Sequence, residues 1–131
     1  MDDSPFMLKT LAQILAREGN FTVVGAATDG CQALRYALAL APDLILMDLH
    51  LPHLNGAQAT RNIKQFVKPP IVFLMTLDDS SNSRTMSEAA GADAFIVKSG
   101  DLDAQLRSKL REWCGSAANP ARPSGKQKKS L

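Results

Sequence analysis

The 131-residue sequence predicts an α/β fold built on a parallel sheet, and three observations predict it. The runs Leu44-Ile45-Leu46-Met47 and Ile71-Val72-Phe73-Leu74-Met75 are apolar throughout, as strands covered on both faces must be. Around them, apolar residues recur at helical spacing. Strand-like and helix-like segments alternate along the chain, the order in which parallel βα units are laid down.

Ser4 followed by Pro5 is a helix start, an N-cap with proline at the first helical position, and Met7, Leu8, Leu11, Ile14 and Leu15 continue it. Phe21 to Ala26 is strand-like. Asp29-Gly30 reads as a turn, and Leu34, Ala37, Leu38 and Ala41 mark a second helix that stops before Pro42-Asp43. After the strand ending at Asp48, Asn55-Gly56 begins a third helix through Ile63 and Phe66, which Pro69-Pro70 breaks. A polar helix through Thr85-Met86 and Ala89-Ala90 closes at Gly91, and Ala94 to Val97 is a short last strand. Leu102, Leu106, Leu110 and Trp113 give the closing amphipathic helix.

Length, 45% hydrophobic content and 21% charged residues fit one globular domain. No apolar stretch approaches the ~18 residues of a membrane helix, and Met1-Asp2-Asp3 does not resemble a secretory signal, so a cytoplasmic protein without membrane contact is expected. Cys31 and Cys114 lack metal-type spacing and read as reduced structural thiols. The formal charge of +2 hides an asymmetry, because residues 115–131 hold Arg122, Lys126, Lys128 and Lys129 and no acid. That segment has no apolar periodicity and is expected to be a disordered basic tail or linker remnant. Four charges without aromatics argue against direct nucleic-acid binding by this chain.

The polar residues of interest sit at strand ends. Asp48 closes the first covered run, Thr76 the second, Lys98 follows Phe95-Ile96-Val97, and Asp2-Asp3 open the chain. In open α/β sheets the carboxyl ends of the strands are where ligands bind. Singly, each has a plainer reading: Asp48 as a cap or turn former, Lys98 as a solvated loop lysine, Thr76 as a β-branched strand residue, Phe95 as core. His50 and His53 lack ligand partners at helical spacing and read as loop residues. Carboxylates gathered at one rim repel each other, and a hard divalent cation with oxygen ligands compensates them.

Asp2-Asp3, Asp48 with Pro52 four residues later and Gly56 eight later, Thr76, and Phe95 three before Lys98 occur in an order that resembles the receiver domain of bacterial two-component response regulators. The resemblance runs from residue 2 to about 113. It implies a doubly wound, flavodoxin-like parallel sheet of five strands in the order 2-1-3-4-5, with helices on both faces, over residues 1–114. It also implies a magnesium ion held directly by Asp3 and Asp48, mainly through water by Asp2, and by the backbone carbonyl of His50. Asp48 would accept a phosphoryl group from a histidine kinase or phosphotransfer protein, with Lys98 as the flanking cation. Thr76 would then draw on the phosphoryl group, Phe95 would swing inward, and the face of the fourth helix and last strand would change. His50 and Asp78 would tune the rate at which water removes the phosphoryl group. The expected function is a phosphorelay switch rather than a metabolic enzyme, read by a target protein or by a DNA-binding output domain that regulates transcription.

Two departures from that pattern stand out. Ser99 follows Lys98 where most receivers have proline, a substitution familiar among receivers that precede helix-turn-helix domains. More seriously, Met1 directly precedes Asp2, where the family has an apolar first strand of about five residues that lies inside the sheet. Its loss would unbury side chains at ~1.5 to 3 kcal/mol each and unpair backbone groups at ~1 to 3 kcal/mol each, against a total stability of ~5 to 15 kcal/mol. A frayed or unstable monomer with weakened magnesium binding is therefore expected, unless something supplies the strand. An upstream start is the favoured explanation; exchange of elements with a second copy, giving a homodimer, and a degenerate receiver are the others.

A second functional reading is a phosphorylation-independent interaction or dimerisation module. A third, an aspartyl-nucleophile phosphohydrolase, wants a general acid near the nucleophile. This chain has His50 where that chemistry commonly places an aspartate, and no insertion to enclose a substrate.

Overall fold

Two covered strands set the architecture. β2 (Leu44–Asp48) and β3 (Ile71–Thr76) pair in parallel from Leu44↔Ile71 to Asp48↔Met75, and every residue of both is buried. Side chains alternate between faces along a strand, so Leu44, Leu46, Ile71, Phe73 and Met75 face one way and Ile45, Met47, Val72 and Leu74 the other. The first face packs on Leu11, Ile14 and Leu15 of α1 (Pro5–Glu18) and on Leu102, Leu106 and Leu110 of α5 (Leu102–Cys114). The second packs on small residues: Ala33 and Ala37 of α2 (Gly30–Leu40), Ala57 and Ala59 of α3 (Gly56–Ile63), and Ala90 of α4 (Ser81–Ala90). The result is the doubly wound α/β architecture expected from the sequence. The computed structural model describes residues 1–19, 21–114 and 128–130.

β4 (Ala94–Val97) adds to β3 in parallel, and β1 (Phe21–Val23) lies at the far edge. Between β1 and β2 runs β5 (Lys128–Ser130), parallel to both, so the sheet order is β1-β5-β2-β3-β4. The four strands β1 to β4 hold the family's second to fifth positions, and β5 falls in the lane of its first. Of the segment 115–131, Lys128–Ser130 forms this strand, and the rest of the expected tail lies outside the described residues. The physical reason is that strands with free edges in a sheet interior need backbone partners, and any segment within reach can provide them.

Met1 and Asp2 fill the same lane nearer the carboxyl rim. The Met1 amine donates to the Leu46 carbonyl at 2.6 Å, the Asp48 N–H donates to the Met1 carbonyl at 2.8 Å, and the Asp2 N–H donates to the Ala27 carbonyl at 3.0 Å. β1 is shorter than the sequence suggests, ending at Val23 rather than Ala26, because its partner β5 ends opposite it at Ser130.

Helix boundaries follow local chemistry. Ser4 accepts from the Met7 N–H, Pro5 opens α1, and Gly19 in the left-handed region closes it. Asn55 and Gln58 form a reciprocal capping box for α3, and Ser80 and Gly91 bound α4. α3 ends at Ile63, short of Phe66, which packs from the following turn. Asp29-Gly30 is not a free turn: Asp29 is the N-cap of α2, accepting from the Gln32 N–H, and Gly30 is already helical. A Cβ on Gly30 would meet the Leu54 carbonyl oxygen at 1.6 Å, so only glycine fits there. Cys31 is exposed on α2 and is not a packing thiol.

Candidate functional site

The parallel strands all end at one rim, and that rim carries the acids. Asp48 is the last residue of β2, and Asp2 and Asp3 follow directly from the lane beside it. One carboxylate oxygen from each of the three lies within 4.8 Å of the others. Lys98, just past the end of β4, reaches across to them: its Nζ is 2.7 Å from Asp2 Oδ2 and 3.2 Å from Asp48 Oδ2. All three side chains of this triad are nearly closed off from solvent, at 7% for Lys98, 1% for Asp2 and 6% for Asp48. Burial alone would lower the Lys98 pKa, but the hydrogen bond that Lys98 donates to Asp2 and the charges of Asp48 and Asp2 outweigh it and raise the pKa above its ordinary value.

The remaining oxygens are also placed. Asp48 Oδ1 accepts from the His50 N–H at 3.1 Å, and Asp2 Oδ1 accepts from the Ser4 N–H at 2.9 Å, which couples the acid pair to the start of α1. Burial pushes the pKa of the Met1 amine beneath them down to about 5. Asp3 is exposed. Together with Ser4, Met7, His50 and Leu77 these groups line an open cleft of about 350 Å³.

Gly56 explains why a glycine stands eight residues after Asp48. The N-terminus of α3 runs against the end of β2, where the Gly56 N–H donates to the Leu49 carbonyl at 2.8 Å. A Cβ at position 56 would lie 2.0 Å from the Asp48 carbonyl oxygen. The acid's backbone is thus held from both sides, by α3 and by Met1.

Thr76 ends β3, fully buried, and its carbonyl accepts from the Lys98 N–H at 2.6 Å. Its hydroxyl accepts from the Asp78 N–H at 3.0 Å, which leaves its own proton to donate. The Asp78 carboxylate is engaged at the head of α4: Oδ1 accepts from the Ser80 N–H, and Oδ2 from the Ser80 and Ser83 hydroxyls, each at 3.0 Å. Those hydrogen bonds, Ser80's first, hold its pKa below the ordinary carboxylate value. Phe95 is half-buried on β4 and does not line the cleft. Its ring lies under the Arg84 guanidinium of α4, 4.9 Å from ring centre to charge, and Arg84 in turn pairs with Asp79. Nothing in the sequence marked Arg84, since a contact between residues on neighbouring elements has no local pattern.

The structure therefore brings Asp2, Asp3, Asp48, His50 and Lys98 to one cleft; Thr76 is buried behind it, joined to the Lys98 backbone, and Asp78 and Phe95 do not line it. Three carboxylates against one ammonium leave two negative charges uncompensated, and hard oxygen donors at this spacing fit a small divalent cation. No helix among the described residues is long and apolar enough to cross a membrane.

Comparison with known proteins agrees with this picture. Residues 1–111 match the family described as response regulator receiver domain. Among curated proteins, the chain is 37% identical over 99 residues to protein-glutamate methylesterase/protein-glutamine glutaminase 3 of Pseudomonas syringae pv. syringae, covering 75% of this chain and 26% of that one. The chain thus spans about a quarter of the length of the curated relatives it matches. Among solved structures, the response regulator domain of Thermotoga maritima CheB superposes with a TM-score of 0.76 at 31% identity, covering 85% of this chain and 90% of that domain. The receiver domain of a Pseudomonas aeruginosa PAO1 sensor histidine kinase, described with a magnesium ion coordinated in its active site cleft, gives a TM-score of 0.77 at 30% identity, covering 88% and 94%.

Proposed function

The chain belongs to the response regulator receiver domain family of two-component signalling, and from that premise we propose that Asp48 is its phosphoacceptor, charged by a histidine kinase or phosphotransfer protein in the cytoplasm. The observation that carries the reading is the convergence of Asp2, Asp3 and Asp48 with the Lys98 ammonium in one cleft. In the transfer, a carboxylate oxygen of Asp48 bonds to phosphorus as the P–N bond of a phosphohistidine breaks. The electron pair of that bond goes to the imidazole nitrogen, which takes up a proton.

Asp2, Asp3, Asp48 and the backbone carbonyl of His50 would hold magnesium, which when bound neutralises charge on phosphoryl oxygens. Lys98 flanks the same oxygens, and its raised pKa keeps it charged for that role. Thr76 donates its hydroxyl proton to the arriving phosphoryl group. That shift changes the space beside β4, and Phe95 leaves Arg84 and turns inward, so the surface of α4, β4 and α5 is the output read by a target or an output domain. The Asp78 carboxylate has to release Ser80 and Ser83 before it can orient water toward the phosphoryl group; His50, exposed at the cleft, faces water already.

Incubation with acetyl phosphate and magnesium, followed by intact mass measurement, tests this. One added phosphoryl group is expected, absent from Asp48→Asn and from samples with chelator. A folded chain that takes no label, or an Asp48→Asn chain labelled as well as the parent, would overturn it; the first of these together with retained partner binding would favour the phosphorylation-independent module.

A further inference from the structure

We propose that the lane between β1 and β2 is a strand-acceptor site, and that the chain's own residues 128–130 occupy it in cis and complete the sheet. β5 is bounded on both sides. Phe21↔Lys128, Thr22↔Lys129 and Val23↔Ser130 set its register against β1, and Leu44↔Ser130 sets it against β2. Residues 44–48 are buried throughout, so the facing edge of β2 is shut away from water and its N–H and C=O groups need partners in the protein. Toward the carboxyl rim, Met1 and Asp2 meet that need through Leu46, Asp48 and Ala27. Toward the amino rim, β5 meets it.

The occupant is recognised by backbone rather than by side chains. Lysine and serine are not strand formers, so a run of Lys-Lys-Ser is drawn into the sheet by waiting backbone edges, through three registered pairs with β1 and one with β2. Reach permits the seat in cis. α5 runs back from the end of β4 to the amino rim, where β1 and β5 begin, and the thirteen residues between Cys114 and Lys128 span up to about 45 Å when extended. Next to the lane, Met1, Leu8, Leu11, Leu15, Val23 and Leu46 line a small apolar cavity of about 20 Å³.

The test uses the full chain and Lys129→Pro, which removes the central N–H of β5 and is poorly tolerated inside a sheet. Lys126→Pro, outside the strand, is the control. The expected result for Lys129→Pro is a thermal midpoint lower by about 5 °C or more and amide exchange roughly tenfold faster or more at Thr22–Val24 and Leu44–Leu46, with the control unchanged. A second background places an apolar pentapeptide ahead of Met1 to compete for the lane; there Lys129→Pro is expected to be silent. If Lys129→Pro does not fold alone, its rescue by the pentapeptide carries the same information. A Lys129→Pro chain that matches the control, or one that the pentapeptide does not rescue, overturns the proposal. A stabilisation that grows with protein concentration, alongside a dimer in sedimentation, assigns the strand to a second copy and overturns occupation in cis.

Discussion

Replacing Gly56 by alanine is the sharpest probe of how the acceptor acid is held. The added Cβ would lie 2.0 Å from the Asp48 carbonyl oxygen, 2.8 Å from its carbonyl carbon and 2.9 Å from Leu49 Cα. Ordinary contact begins near 3.4 Å, so the end of β2 and the start of α3 must separate by about 1.4 Å, and all three atoms are backbone. Neither side yields easily: the Asp48 N–H is bonded to Met1, the Leu49 N–H to Met75, and the Gly56 N–H to Leu49. Overpacking of this kind costs about 1 to 3 kcal/mol, or about 5 to 15 °C of melting temperature for a domain of this size. Moving Asp48 also breaks its spacing to Lys98, so phosphorylation by acetyl phosphate should fall more than the fraction unfolded accounts for. Circular dichroism melts and intact-mass labelling of Gly56→Ala at a temperature where both chains are folded make the comparison. An unchanged melt with unchanged labelling would show that α3 does not clamp the acid, and the account of the site would be wrong at that point.

Three further outcomes are expected. Lys98→Met leaves Asp2 and Asp48 facing each other without their buried partner, at a cost of about 3 to 5 kcal/mol; magnesium should raise its melting temperature more than it raises the parent's, and an equal rise in both would refute the charge balance drawn here. Ala41 closes α2 with φ 47° and ψ 58°, a left-handed conformation that costs a residue with a Cβ about 1 kcal/mol, so Ala41→Gly should raise the urea midpoint slightly without altering phosphorylation. Asp78→Ala removes a carboxylate whose pKa is lowered by Ser80 and Ser83. The unfolded chain binds that proton at a higher pH than the folded one, so the stability lost in the variant is full near neutral pH and fades as pH falls through the folded value; a parent-minus-variant difference that stays flat on acidification would contradict this.

The parts of the fold set by local chemistry could be read from residues alone. Ser4-Pro5 states the start of α1 in two letters, Asn55-Gly56 states the start of α3, and Leu44–Met47 and Ile71–Met75 are so uniformly apolar that only covered strands accommodate them. The cleft residues could be ordered along the sequence because parallel strands deliver their ends to one rim, which turns sequence order into spatial proximity. What escaped depended on partners distant in sequence. Lys128–Ser130 carries no strand signal because its pairing is decided by the edges of β1 and β2. Arg84 meets Phe95 only once α4 packs beside β4, and Gly30 reads as a turn until the Leu54 carbonyl passes over it.

Trp113 sits on the last turn of α5, half-buried against the apolar cluster that α1 and α5 form on one face of the sheet, far along the sheet from the acids. It is the sole tryptophan of the chain. Its emission will therefore be nearly blind to what happens around Asp48 and attentive to the base of the molecule, where Phe21 stands opposite Lys128. A fluorimeter thus separates two events that a melting curve would blend, reporting the loosening of the lower sheet as a colour change while the cleft fills in silence.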